Sequence, residues 1–493
     1  MGRHLGTIVV FSVSATLASC DSSTDEPSYA PGATGGGGGL STGGDGSSTG
    51  GHGSGTGGVT ASGGRGGGSG GTAGGPDVDG GSAGRDGGNV GTGGTPVDAS
   101  SDGNGGPEAG IGGAPGTGGS SGTGGARPDA GEDAEPDGGP RLREFGYVAA
   151  RFGGLFTCSI DPTSGMATQI GSSFNLPRSE PVAIAVHPSQ KFVYVAYLDF
   201  QDGENFIDAY RIAADGTLDV SGRLTVSTPE SVESIAVEPQ GHFAYAVSGA
   251  EKAIYPFRID ADTGALTSLG NPLPVGSAQD PATPTFVAAD PTGRFVYVSL
   301  AFGNVVFGYR IDRNGATPGS LVEIASSPFG IPGLPDGSST FGGAIALTPD
   351  GHFLYTSGGG RLNGYAIDDA GGTGALTSIG GSPFSLVVES DAPAPNLVVD
   401  PSGKHVYATQ FHSGSAIHGF DIDAGGALSK LSEPLTVAAP YSVAIEPSGH
   451  FLYVPNDANT VTRFAIAPSG ALTELGQSQF GGLEAKMVFA TLP

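Results

Sequence analysis

From residue 141 onward, apolar positions fall in short alternating runs separated by Gly, Pro and Asp. Runs of this length and period predict strands joined by tight turns, and no helix. The runs return in one phrase. It reads His187-Pro188-Ser189-Gln190-Lys191-Phe192-Val193-Tyr194, then Glu238-Pro239-Gln240-Gly241-His242-Phe243-Ala244-Tyr245, then Asp290-Pro291-Thr292-Gly293-Arg294-Phe295-Val296-Tyr297. Thr348, Asp400 and Glu446 open three further copies. Seven tyrosines, Tyr147, Tyr194, Tyr245, Tyr297, Tyr355, Tyr407 and Tyr453, lie 47, 51, 52, 58, 52 and 46 residues apart. A period near 50 built from short strands predicts propeller blades.

Each repeat reads as four strands. A short apolar run before the proline, such as Ala183-Ile184-Ala185-Val186, is the innermost, and the Tyr strand follows it. A third strand carries an aromatic two residues before an Ile, as in Tyr210/Ile212 and Phe257/Ile259. An Asp/Gly turn leads to the fourth, such as Ala265-Leu266-Thr267. The first repeat begins at its Tyr strand, whereas residues 487–493 look like an inner strand with nothing after it. Ring closure explains both ends: the C-terminal strand completes the first blade and leaves no half-built sheet at the seam. The expected fold is all-β, a seven-bladed β-propeller closed by its C-terminal strand, over residues 141–493.

What precedes it differs in kind. Residues 31–140 hold 47 of the 92 glycines and no Phe, Tyr or Trp. Such a segment buries too little apolar surface to offset the entropy of ordering it. It is expected to be a disordered tether with an end-to-end distance of roughly 55–60 Å. At the start, Arg3 and His4 precede an apolar stretch over residues 5–16, then Leu17-Ala18-Ser19-Cys20. The stretch suits a secretory signal and is too short to span a bilayer. The expected organisation is a signal peptide over 1–19, a lipid-anchored linker over 20–140 and the propeller beyond. Cys20 would be the lipidated residue, on a protein exported to the cell envelope.

Charge and rare residues narrow the chemistry. A net charge of −27 disfavours nucleic acid. Cys158 sits in the third-strand slot that aromatics fill elsewhere, so it reads as a buried apolar group. His242, His352 and His450 occupy a turn slot shared with Lys191, Arg294 and Lys404. His187 and His405 stand in structural slots, and His418 packs between blades. No metal-ligand spacing and no cofactor motif are present, and a monomer is expected.

Strand direction puts the short, repetitive turns on one face of the disc. The irregular crossovers and second-to-third hairpins lie on the other, where binding usually resides. Arg178, Glu180 and Glu233 are the catalytic candidates there, and Asp280, Asn396, Tyr441 and Lys486 the ligand-binding ones. Arg151, Glu230, Asn304, Arg361, His412 and Asp457 share the face.

The Pro-x-Gly-[His/Arg/Lys]-Phe-x-Tyr phrase, the Ile-Asp…Gly-Ala-Leu-Thr phrase and Leu452-Tyr453-Val454-Pro455-Asn456 resemble the lactonase-type seven-bladed propellers. That family includes bacterial 6-phosphogluconolactonases, and its surface-protein relatives carry Tyr-Val-Thr-Asn repeats. The resemblance covers 141–493 and implies the fold. It also implies His, Arg and Glu at the channel mouth, in phrases such as Pro-Arg-His before an inner strand. The matching stretches here, among them Glu233-Ser234, Pro395-Asn396-Leu397 and Lys486-Met487-Val488, carry no His. The expectation is therefore a non-enzymatic envelope module that binds a protein or small ligand. The alternative is a lactone hydrolase, which needs an Arg or Lys at the mouth within hydrogen-bond reach of two carboxylates.

Overall fold

The computed structural model describes residues 142–493, apart from 176–178, 200–204, 278–281, 302, 304, 331–341, 359, 387–395, 412–414, 457–458 and 481. The signal and tether expected over 1–140 lie outside the described residues. Within them every regular element is a strand, and the strands form seven antiparallel sheets. Six sheets are consecutive in sequence, with inner strands at Ser179–Val186, Ser234–Val237, Thr283–Ala289, Gly342–Leu347, Asn396–Val399 and Ala444–Ile445. We number these blades 2 to 7. Blade 1 joins the two ends of the domain: Leu483–Leu492 is its inner strand and pairs antiparallel with Arg143–Arg151. Gly154–Ile160 and Ala167–Phe174 follow outward. The expected closure by the C-terminal strand is thus present in full register from Arg143↔Leu492 to Ala149↔Lys486.

The repeated phrase has a physical reading. Each repeat tyrosine is buried and its hydroxyl donates to a glycine carbonyl in the next blade, in seven hydrogen bonds of 2.6–3.1 Å. The acceptors are Gly216, Gly264, Gly319, Gly374, Gly426, Gly470 and, across the seam, Gly165. All seven have positive φ, from 65 to 96°. A Cβ at any of them would run into the ring two residues before the tyrosine: a phenylalanine in six cases and His405 in the seventh. So Phe-x-Tyr grips the third-to-fourth turn of its neighbour, the ring against the glycine and the hydroxyl on its carbonyl. His405 fills the phenylalanine slot, as expected.

The acid that opens the phrase organises the turn before that grip. Asp290 Oδ1 accepts from the Arg294 and Phe295 amides at 2.7 and 2.6 Å, and Glu446 Oε1 from His450 and Phe451 at 2.7 and 2.9 Å. These carboxylates are buried, and the amides are the partners that burial requires. Cys158 is fully buried and its thiol is pushed up to about 12, an inert core group. His418 hydrogen-bonds Gln410 at 2.8 Å, and burial, helped by the charge of Lys430, pulls it down to about 4.

One expectation needs correction. The fourth strand is not single in blades 3 to 6. In blade 3, Leu266–Ser268 and Leu273–Pro274 pair in turn with Ala253–Ile259, and Gly270 at φ 128° lies in the break. Glycine tolerates that backbone, so the chain steps out of the sheet and returns.

Two outcomes test the ring. Gly165→Ala should lower the urea midpoint well beyond Gly171→Ala. Both positions have similar φ (65 and 69°), but only the first would place its Cβ in the Phe451 ring, whereas the second meets nothing within 4 Å. The control carries the left-handed cost alone, about 1–2 kcal/mol; equal midpoints would remove the grip as the source of seam stability. Separately, Glu144 hydrogen-bonds Glu446 across the seam, and burial together with that carboxylate pushes it from 4.5 up to about 8. The folded state then holds a proton that the unfolded chain releases. The stabilisation is complete below about pH 4.5 and is lost as pH rises through 8. Glu144→Gln should flatten the loss of urea midpoint between about pH 5 and about pH 9, and an unchanged slope would contradict the shared proton.

Candidate functional site

The irregular face owes its shape to bulges near the starts of inner strands. Register slips occur at Pro181/Ala183, Pro284/Phe286 and Gly342/Ile345, and opposite Ala149/Arg151 in blade 1. An extra residue breaks the strict alternation and re-aims the side chains beside it. In blade 1 the slip falls at Glu484 and Ala485, and Glu484 adopts φ 47°. That is unusual for a residue with a Cβ.

The bulge serves an ion cluster. Arg151, at the end of the second strand of blade 1, donates from Nε to Glu180 at 2.7 Å and from Nη1 to Glu484 at 2.9 Å. Glu180 belongs to the inner strand of blade 2 and Glu484 to that of blade 1, so one guanidinium ties the two mouths together. The forked donors of arginine suit that bridge, where a lysine would offer a point charge. An arginine in reach of two carboxylates is the arrangement a hydrolase reading requires, with Arg151 in the place sequence reasoning assigned to Arg178.

Lys486 follows two residues after Glu484 and is only 3% exposed. Burial pulls its ammonium down to about 7, while Glu484 and Glu233 act to raise it and Arg151 to lower it. Glu233, immediately before the inner strand of blade 3, accepts from the Gly249 amide at 2.8 Å and the Ser231 hydroxyl at 3.3 Å. Burial raises it to about 7 against those bonds and the pull of Lys486. Two groups of opposite kind, each feeling the other's charge, are thus both brought near neutrality, mainly by desolvation.

Deeper polar groups stitch the inner strands together. Ser234 Oγ accepts from the Val287 amide at 3.2 Å, and Asn396 Nδ2 donates to the Tyr441 carbonyl at 3.1 Å. Asn396 Oδ1, Thr285 Oγ1 and Ser442 Oγ are buried and have no protein partner among the described residues. Among the described residues no group of three or more His, Cys, Asp or Glu side chains is arranged to hold a metal ion.

Of the residues singled out from sequence, Glu180, Glu233 and Lys486 come together at the mouth. Asn396 and Tyr441 form a second pair between blades 6 and 7. Arg178, Asp280, Asn304, His412 and Asp457 lie outside the described residues. Glu484 was missed. Its only signal was its place two residues from Lys486, since the slip that turns it toward Arg151 is invisible without the pairing.

Residues 145–443 match the family model described as Lactonase, 7-bladed beta-propeller. The chain belongs to that family. A 6-phosphogluconolactonase of Pectobacterium atrosepticum is 24% identical over 299 residues, 58% of this chain and 80% of the relative. In structure, the chain is similar to the periplasmic gluconolactonase of Pseudomonas aeruginosa, with TM-score 0.60 and 18% identity over 72% of this chain and all of that one. A protein from Lactobacillus plantarum gives TM-score 0.58 and 19% identity over 72% of this chain and all of the other. These likenesses in structure establish the seven-bladed fold.

The expectation of a non-enzymatic binding module is corrected by this membership and by the lactonase names of the relatives. It rested on the missing histidines. Neutrality-tuned acid–base groups can also be built from a carboxylate and a lysine, and burial rather than residue type tunes them.

Proposed function

We propose that this lactonase-family member hydrolyses lactones at the irregular mouth of the propeller channel. The observation that carries the reading is that Glu233 and Lys486, within electrostatic reach of each other and both displaced to about 7, lie near an arginine fixed between two carboxylates. Glu233 as carboxylate takes a proton from water, whose oxygen attacks the lactone carbonyl carbon. The negative charge that develops on the carbonyl oxygen is met by the Lys486 ammonium, in a site where burial strengthens the attraction. Collapse breaks the ring C–O bond, and the proton held by Glu233 passes to the leaving oxygen. The product is a hydroxy acid. Arg151, always charged, holds Glu180 and Glu484 in place as hydrogen-bond acceptors for substrate hydroxyls. Arg151 and Lys486 already face carboxylates, so the site suits a neutral polyhydroxy lactone better than a phosphorylated one.

The working form carries one proton on the pair, on Lys486, and is lost when both groups are protonated or both are not. Lactone turnover above the spontaneous rate should therefore follow a bell centred near neutral pH, with limits belonging to the pair. Glu233→Gln should lower kcat by about 10²-fold or more. Lys486→Met should remove the alkaline limb and move the acid limb to higher pH, because the ammonium lowers Glu233. Parent protein with no turnover of glucono-δ-lactone in a pH-stat would refute the proposal.

We also propose that the domain works outside the cytoplasm, tethered by lipid on Cys20 through the Gly-rich segment. The support is the basic-apolar-small-Cys order of residues 3–20 and the aromatic-free composition of 31–140. Cys20→Ser should release the protein from membranes or block its maturation. Unchanged membrane fractionation and intact mass would refute the anchor.

A further inference from the structure

Phe152 stands apart from every other aromatic in the described domain. The other phenylalanines and tyrosines pack within or between blades, whereas Phe152 is 64% exposed, the only exposed Phe or Tyr ring among the described residues. It occupies the second-to-third hairpin of blade 1 with φ 59°. A bulky side chain in that region is a backbone outlier, and such outliers persist where the surroundings hold them. Here the turn is closed by the Gly153 amide on the Ala150 carbonyl at 3.0 Å. Gly482 packs so closely that a Cβ there would lie 2.6 Å from Ala150 Cβ and 2.7 Å from Gly153 Cα. The backbone of the hairpin tip is therefore clamped, which sets the point from which the ring projects.

The ring is also at the mouth. The Arg151 guanidinium lies 5.3 Å from its centroid, and the same guanidinium holds Glu180 and Glu484. Exposing an apolar ring to water is unfavourable, and glycine or asparagine would suit the left-handed backbone better. A flat apolar surface beside two carboxylate acceptors matches a small ring that is apolar on its C–H face and hydroxylated at its rim.

We infer that Phe152 is the stacking platform of the substrate subsite, holding the C–H face of a polyhydroxy lactone while Glu180 and Glu484 accept from its hydroxyls. This rests on the lactonase reading for the identity of the ligand, and not for the placement of the ring. Phe152 binds without taking part in bond making, so it acts on substrate affinity.

The chain contains no tryptophan, so Phe152→Trp introduces a single tryptophan at the platform, whose emission is separable from that of the tyrosines. Its emission should change saturably on titration with 1,5-anhydroglucitol, a neutral polyhydroxy ring that cannot be hydrolysed. In the full-length protein, Phe152→Ala should raise KM for glucono-δ-lactone by about three- to tenfold with kcat within about twofold, the range expected for one aromatic contact. Phe152→Gly, which relieves the backbone, should raise KM by the same factor; this separates a lost contact from altered strain. Unchanged KM in the Ala and Gly variants overturns the inference, and so does Phe152→Trp emission indifferent to millimolar 1,5-anhydroglucitol. If the parent shows no turnover, the fluorescence arm decides alone. A saturable response then supports the platform while the lactonase chemistry fails, and no response refutes the platform.

Discussion

The grip of Phe-x-Tyr on a glycine turn of the next blade is the contact on which the rest of the molecule depends. Sheets of one blade are each too small to stand alone, and their faces become core only against a neighbour. The ring packs on the bare glycine Cα and the hydroxyl fixes the carbonyl above it, so both distance and rotation between blades are set at one point. The contact needs a backbone with positive φ and no Cβ, which explains why glycine fills all seven acceptor positions. Seven equal rotations close a circle. The last grip, Tyr453 on Gly165, spans 288 residues of chain and needs no new chemistry.

That rigidity is what permits irregularity on the opposite face. Each blade is held at its repetitive end by the grip, and in four of them by an acid-capped turn as well, so the entrance ends are free to bulge. The slips there put Glu180, Glu484 and Lys486 where a regular strand would not, with Arg151 drawn between the carboxylates. Desolvation then does the tuning. Glu233 and Lys486 both sit near 7 because burial penalises each charge while the other partly restores it. A site of this kind can be built without histidine.

How far the chain could be read in advance varied with the range of the interaction. The Tyr spacing, the proline-glycine turns and the mismatched ends pointed to seven blades and to the seam, and His405 and Cys158 were placed by analogy of slot. The candidate site was legible only in part. Glu180, Glu233 and Lys486 were picked for their positions before inner strands, but they were spread over three crossovers with no sign of which would meet. Arg178 was chosen over Arg151 because it is nearer Glu180 in sequence. Glu484 was passed over because a bulge is a property of two paired strands and leaves no mark on one of them.

The sequence by itself determined the repeat, and with it the fold. Each copy carries its own local instructions, a ring and a Tyr for the grip and a glycine to be gripped, with an acid for the turn in four of them, and that chemistry repeated seven times closes the ring. It also determined the contrast between that domain and the glycine-rich stretch, because burial capacity follows from composition. Only the tertiary structure decided which charges share a mouth, where burial moves their protons, and that Phe152 is left exposed beside them. Those facts depend on register slips and on distances across the ring, and electrostatic interaction falls with distance in space rather than along the chain.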